Sequence, residues 1–179
     1  MGAERFIDRD FFRWTIFGLF VICNTFGFFI AMAIGILLPA IADDTGLEVD
    51  ALNGAPGVFT ARYAGENCSY LDNVNKMLEE MKNVPKNKRG ATFKTVMAYV
   101  DDNVELTSEG IVQGTVTRTK KGVAGFGYDP IFYVPDLEKT FAEMKIEEKN
   151  LVSHRSRAIK ALKANLATYF NTPNIKENA

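Results

Sequence analysis

Gly90 to Gly122 reads GATFKTVMAYVDDNVELTSEGIVQGTVTRTKKG, and this stretch decides the fold class. Phe93, Thr95, Met97 and Tyr99 alternate with Lys94, Val96, Ala98 and Val100, the period of two that sends successive side chains to opposite faces of a strand. The alternation stops at Asp101-Asp102-Asn103, residues that favour a turn, and resumes through Val104, Leu106, Ile111, Val112 and Val116. A long antiparallel hairpin is expected. Gly110 and Gly114 fall within its second strand, where a missing side chain marks a bulge or a close approach of another group to the backbone.

The flanks of the hairpin are helical. SYLDNVNKMLEEMKNV, Ser69 to Val84, spaces Leu71, Val74, Leu78 and Met81 by threes and fours, with Ser69 as N-cap and Asp72 three residues on. SHRSRAIKALKANLATYF, Ser153 to Phe170, offers Ser153 as a cap and an apolar stripe of Ile159, Leu162, Leu166 and Phe170. Between them, IFYV (131–134) reads as a short strand behind the glycine-rich GVAGFGYDP. Upstream, DDTGLEVDALNGAPG reads as a loop-rich segment around an extended piece, Leu47 to Leu52. The pattern is that of an α/β domain.

At 179 residues there is room for one domain with a sizeable core and a short appendage. With 21 Lys+Arg against 22 Asp+Glu the net charge is -1, which gives no general attraction for nucleic acid or anionic lipid. Any phosphate-bearing ligand must be held by a local site. Cys23 and Cys68 have no partner at metal-ligand spacing and read as free thiols in a reducing compartment. His154 is the only histidine, which excludes a histidine-based metal cluster.

The N-terminal quarter is different. From Trp14 to Ala42 there is no Asp, Glu, Lys, Arg or His, and Thr15 to Ala40 is long enough to cross a hydrocarbon core of roughly 30 Å as a helix. Arg5, Arg9 and Arg13 precede it, whereas the next basic residue is Arg62, so a spanning helix would keep the N-terminus in the cytoplasm. The expected division is an apolar segment over 1–38, a domain over 39–172 and a polar tail over 173–179.

Three clusters could carry chemistry. Asp43 and Asp44 end the apolar run just before Gly46, at what would be the rim of a sheet. Their hard oxygens suit Mg²⁺, and adjacent residues on a strand face opposite ways, so one belongs at a site and the other in support. GFGYDP, Gly125 to Pro130, lets the backbone approach a planar ligand while Phe126 stacks on it. EEKNLVSHRSR, Glu147 to Arg157, gathers Lys149, His154, Arg155 and Arg157 at the start of the last helix, where an anion or a base carbonyl would find donors. A loop cap, a plain turn and a solvated basic face remain the alternatives for the three.

Taken in order, PAIADDTGLEVDALNGAPGVFTARYAG, GFGYDPIF, TFAEM and EEKNLVSHRSRA, between Pro39 and Phe170, resemble the inosine triphosphate pyrophosphatase family. The resemblance implies a long mixed β-sheet flanked by helices in two lobes, a cleft between them, and a homodimer. It implies hydrolysis of noncanonical purine nucleoside triphosphates (ITP, dITP, XTP) to the monophosphate and pyrophosphate, in the cytoplasm and with Mg²⁺. By the same likeness Asp44 would activate water or bind the metal with Asp43 beside it, and Thr45 would touch substrate. Phe126, Gly127, Tyr128 and Asp129 would line the base pocket, and Lys149, His154 and Arg155 would read the 6-keto edge.

The front of the chain departs from that family. Its members open with a strand and an Asn/Lys loop that grips the triphosphate, followed by a metal-binding glutamate. Here no lysine precedes Lys76 and the only glutamate before Glu48 is Glu4. The first lobe is therefore expected to be replaced by the apolar segment, with activity impaired. Residues 1–38 would be an aberrant N-terminus joined to a family body, the reading we favour, or a membrane anchor through residues 14–42, or strand and helix packed within the domain. A catalytically inactive nucleotide-binding or membrane-anchored relative is the alternative function.

Overall fold

The computed structural model describes residues 40–101 and 103–172. The segment 1–38, with the expected anchor as far as residue 39, and the tail 173–179 lie outside them. Residues 40–42, the end of that expected anchor, belong to strand β1 (Ala40–Val49). Among the described residues no helix is long and apolar enough to cross a membrane.

Five further strands follow: β2 (Pro56–Gly57), β3 (Gly90–Val100), β4 (Glu105–Val116), β5 (Phe132–Val134) and β6 (Lys139–Thr140). They form one sheet in the order β2-β1-β3-β4-β5-β6. β1 pairs antiparallel with β2 (Leu47 opposite Gly57), β4 with β5 (Val116 opposite Phe132) and β5 with β6 (Val134 opposite Lys139). Helices α1 (Tyr70–Glu80), α2 (Ile146–Val152) and α3 (His154–Asn171) complete the α/β domain. The chain divides into two compact units, residues 40–42, 98–101 and 103–107 in the smaller, 43–97 and 108–172 in the larger.

In the smaller unit the hairpin turn closes where the sequence placed it. Asp101 Oδ1 accepts the N–H groups of Asn103 and Val104 at 2.8 Å each, and Oδ2 accepts the Tyr99 hydroxyl at 2.9 Å. The Asn103 N–H heads the contacts that hold the Asp101 carboxyl below its ordinary range.

In the larger unit, alternation governs β3 only as far as Phe93. Ala91 and Phe93 are buried with Thr92 and Lys94 between them partly exposed, but Thr95, Val96 and Met97 are buried in succession, so the strand is covered on both faces there. Three phenylalanines centre the core. Phe93 meets Phe132 edge-on at 4.6 Å between centroids, and Phe141 lies 5.0 Å from Phe132, separations at which aromatic pairs attract beyond their buried area.

α1 starts at the expected cap: Ser69 Oγ accepts the Asp72 N–H, and the Asp72 carboxylate accepts the Ser69 N–H at 2.8 Å. Its buried stripe is Val74, Met77 and Met81, whereas Leu71, expected to be inward, is exposed. Two further expectations shift. The extended piece begins seven residues before Leu47 and ends at Val49, because Asp50–Leu52 tightens into a 3-10 turn. In α3 the inward face is His154, Ala158 and Leu162, with Ile159 and Phe170 exposed.

Both strand glycines mark close approaches. A Cβ on Gly110 would fall 2.0 Å from the His154 carbonyl oxygen and 2.4 Å from the Ala158 nitrogen; one on Gly114 would fall 2.5 Å from the Tyr133 carbonyl oxygen. α3 therefore lies directly on the backbone of β4. Ser108 Oγ donates to the Ala158 carbonyl at 2.9 Å, and Arg157 Nη1 donates to the Ile111 carbonyl at 2.8 Å.

Arg89, at the foot of β3, is the buried cation of this unit. Its guanidinium donates to four carbonyls: Met81 (2.5 Å) and Val84 (3.3 Å) beyond α1, and Val116 (2.7 Å) and Thr117 (2.8 Å) at the end of β4.

Candidate active site

A cavity of about 480 Å³ opens in the larger unit. Thr45 reaches it from β1 and Phe93 from β3; Gly125 to Asp129 form one wall, and Lys149, His154 and Arg155 form another. Seven of the ten residues singled out by sequence are accounted for by those two walls, and Thr45 makes an eighth. Asp43 and Asp44 are the two that do not line the cavity.

The glycine-rich wall is built around Asp129. Its Oδ2 accepts the Phe126 N–H at 2.8 Å and the Lys149 ammonium at 2.5 Å, with the Asp129 side chain 4% exposed. Buried charges persist when paired in this way. Gly125 has φ +79°, and a Cβ there would lie 2.0 Å from Asp129 Oδ2, so the glycine is what lets the carboxylate reach both donors. Asp129 thus serves as a brace for Phe126 and Lys149.

Phe126 itself stays 52% exposed at the rim of the cavity. Lys149 Nζ lies 5.3 Å and the Arg155 guanidinium 5.7 Å from its ring centroid. Tyr128 is buried and donates its hydroxyl to the Thr60 carbonyl at 3.0 Å. Burial raises the Tyr128 pKa first of all, which keeps it a phenol and a donor.

His154 opens α3 and is 6% exposed. Its ring stacks on Phe93 at 4.5 Å and 16°, and its Nδ1 has no hydrogen-bond partner. Burial, then the charges of Arg155 and Lys149, push its pKa down to about 3. The imidazole is therefore neutral, with one nitrogen a donor and the other an acceptor.

This has a consequence for stability. The folded-state value lies below the ordinary 6.5, so the contribution of the neutral ring is complete above pH 6.5 and is lost as pH falls from there towards 3. The slope is up to about 1.4 kcal/mol per pH unit. Between pH 6.5 and 4.5 the wild-type chain should lose about 2–3 kcal/mol more stability than His154→Phe, measured by urea unfolding. Parallel losses in the two proteins would show that His154 is not the group responsible.

The aspartates separate as their alternation requires. Asp43 Oδ2 accepts a hydrogen bond from Arg155 Nε at 3.1 Å and lies 3.1 Å from Nη2 in an ion pair, so it is tied to a cation of the cavity wall. Asp44 is exposed, and its Oδ1 accepts the Thr45 N–H at 2.9 Å. The Thr45 hydroxyl stands 2.7 Å from that of Thr95. Among the described residues no cluster of three His, Cys, Asp or Glu is present, but Mg²⁺ commonly takes one or two carboxylates and completes its shell with phosphate and water. Asp44, exposed and bonded to the Thr45 N–H, fits that requirement, whereas Asp43 is committed to Arg155.

Comparison with known proteins decides the family. The sequence profile of the Ham1 family matches residues 29–165. The chain belongs to the Ham1 family. It is 52% identical over 128 residues to the dITP/XTP pyrophosphatase of Yersinia pseudotuberculosis, covering 70% of this chain and 65% of that protein. With the dITP/XTP pyrophosphatase of Escherichia coli the identity is 50% over 128 residues, with the same coverage. The chain thus spans just under two thirds of the length of the curated relatives it matches.

Solved structures of the Ham1 family agree on the fold. The Staphylococcus aureus Ham1 protein superposes with a TM-score of 0.71 at 45% identity, covering 75% of this chain and 70% of that one. The Coxiella burnetii HAM1 protein gives 0.69 at 43%, covering 73% and 68%. The resemblance read from four sequence motifs is borne out.

Several cavity residues were not read from the sequence. Asn150 and Ile146 line the cavity because 146–152 forms a short helix, an element the sequence reading did not include. Tyr70 lines it from the first turn of α1. The available signal for Tyr70 was an aromatic residue directly after a capping serine and off the buried stripe.

Proposed function

We propose that this chain hydrolyses noncanonical purine nucleoside triphosphates such as ITP, dITP and XTP to the monophosphate and pyrophosphate, the activity class in the names of its Ham1 family relatives. One observation supports this above the others: a half-exposed Phe126 ring stands in a cavity beside Lys149, Arg155 and the unpartnered Nδ1 of a neutral His154. An aromatic platform with donors and an acceptor at its edge suits a purine carrying a 6-keto group. Lys149, His154 and Arg155 would favour a keto edge over an amino edge, because a mismatched partner leaves buried polar groups unpaired.

In this reading the base stacks on Phe126, and Asp129 holds Lys149 in place beneath it. Asp44 accepts a proton from the water that attacks the α-phosphorus; the bond to the bridging oxygen breaks and pyrophosphate departs. Asp44 would hold Mg²⁺ with Asp43 beside it in support through Arg155, and the metal would supply charge neutralisation on the departing phosphates when bound. A cytoplasmic homodimer completes the proposal.

The test is pyrophosphate release from ITP by the full chain in mild detergent, with and without Mg²⁺. Magnesium-dependent release is the expected result. A folded sample that binds inosine monophosphate but releases nothing would make the chain an inactive nucleotide-binding relative.

A further inference from the structure

We propose that Tyr70 is the second wall of the base site, so that the purine is held between Tyr70 and Phe126; this rests on the nucleotide reading above. The two rings line the same cavity, with centroids 6.1 Å apart and planes inclined at 46°. Tyr70 is 60% exposed and Phe126 52%. They form an open wedge. A base in contact with both rings needs them about 7 Å apart, twice the contact distance of about 3.5 Å. From 6.1 Å, side-chain rotation that levels the tilt would have to widen the gap by about 1 Å.

Both backbones beneath the rings are fixed. Ser69 and Asp72 close a reciprocal cap directly beside Tyr70, with the Ser69 hydroxyl also donating to Asp72 at 2.7 Å. Phe126 is pinned through its N–H to Asp129. Only two side-chain torsions per ring remain free, so little entropy is lost on closure. Nothing in the fold calls for the Tyr70 ring: α1 packs through Val74, Met77 and Met81, all buried.

Stacking is blind to the edge of a base. Tyr70 should therefore raise affinity for every purine alike, whereas the edge-reading residues set preference among them. The test is calorimetric binding of inosine and adenosine monophosphates to the full chain in mild detergent, which needs no turnover. Tyr70→Ala should weaken both by about tenfold with their ratio unchanged, while Tyr70→Phe stays within about twofold of wild type.

Inosine monophosphate affinity unchanged in Tyr70→Ala, with Phe126→Ala weakened, would overturn the wall and leave the nucleotide site standing. A selective loss for one base would overturn it as well, making Tyr70 an edge reader. A wild-type chain that binds neither nucleotide would overturn the nucleotide reading itself, and the wall with it.

Discussion

Arg89→Ala should unfold the domain or bring it close to that point, with a loss of about 4 kcal/mol or more in urea unfolding. The guanidinium is 3% exposed and satisfies the carbonyls of Met81, Val84, Val116 and Thr117. The Met81 carbonyl keeps the Val84 N–H and the Val84 carbonyl keeps Arg118 Nη2, so the loss falls on Val116 and Thr117. Each buried carbonyl left without a donor costs about 1–3 kcal/mol, and the total stability of a domain is about 5–15 kcal/mol. The damage also spreads, since these bonds tie the end of α1 to the end of β4. Arg89→Lys should fall between wild type and Ala, because an ammonium has three donors and lacks the planar fork. An Ala variant with the unfolding midpoint of wild type would show that water reaches those carbonyls.

Asp44→Asn carries the largest expected effect on activity. If Asp44 takes the proton of the attacking water, the amide should lower the turnover of ITP by about 10²–10⁴-fold. Binding of inosine monophosphate should stay within about twofold, because Asp44 does not line the cavity proposed for the base. Asp43→Asn should behave differently: it loosens Arg155, to which Asp43 is bonded, and so should act mainly on affinity. Undiminished turnover in Asp44→Asn would remove it from the chemistry.

The fold and the site were legible to different depths. Hairpin, caps and the two long helices follow from local rules of period and hydrogen bonding, and each appeared where those rules put it. Details set by tertiary packing did not. Leu71 satisfies the helical spacing, yet Met77 occupies the buried position instead, because the stripe is decided by where α1 meets the sheet. Asp129 shows the same limit within the site. Its letter and loop point to a binding residue, and burial with a 2.5 Å contact to Lys149 adds a bracing role that neither letter nor loop announces. The short helix Ile146–Val152 was hidden because a run of charged residues carries no apolar period to read.

Gly110 ties the start of α3 to the sheet. Because it has no side chain, the first turn of α3 rests on the β4 backbone, and His154 and Arg155 belong to that turn. The position of the groups proposed to read the purine is thus inherited from strand geometry more than from the loop chemistry around them. Altered base preference can then arise far from any residue that touches a base: a methyl group added beneath the helix would lift the reader off its platform. In a selection for changed purine preference, β4 is as fair a target as the cavity wall.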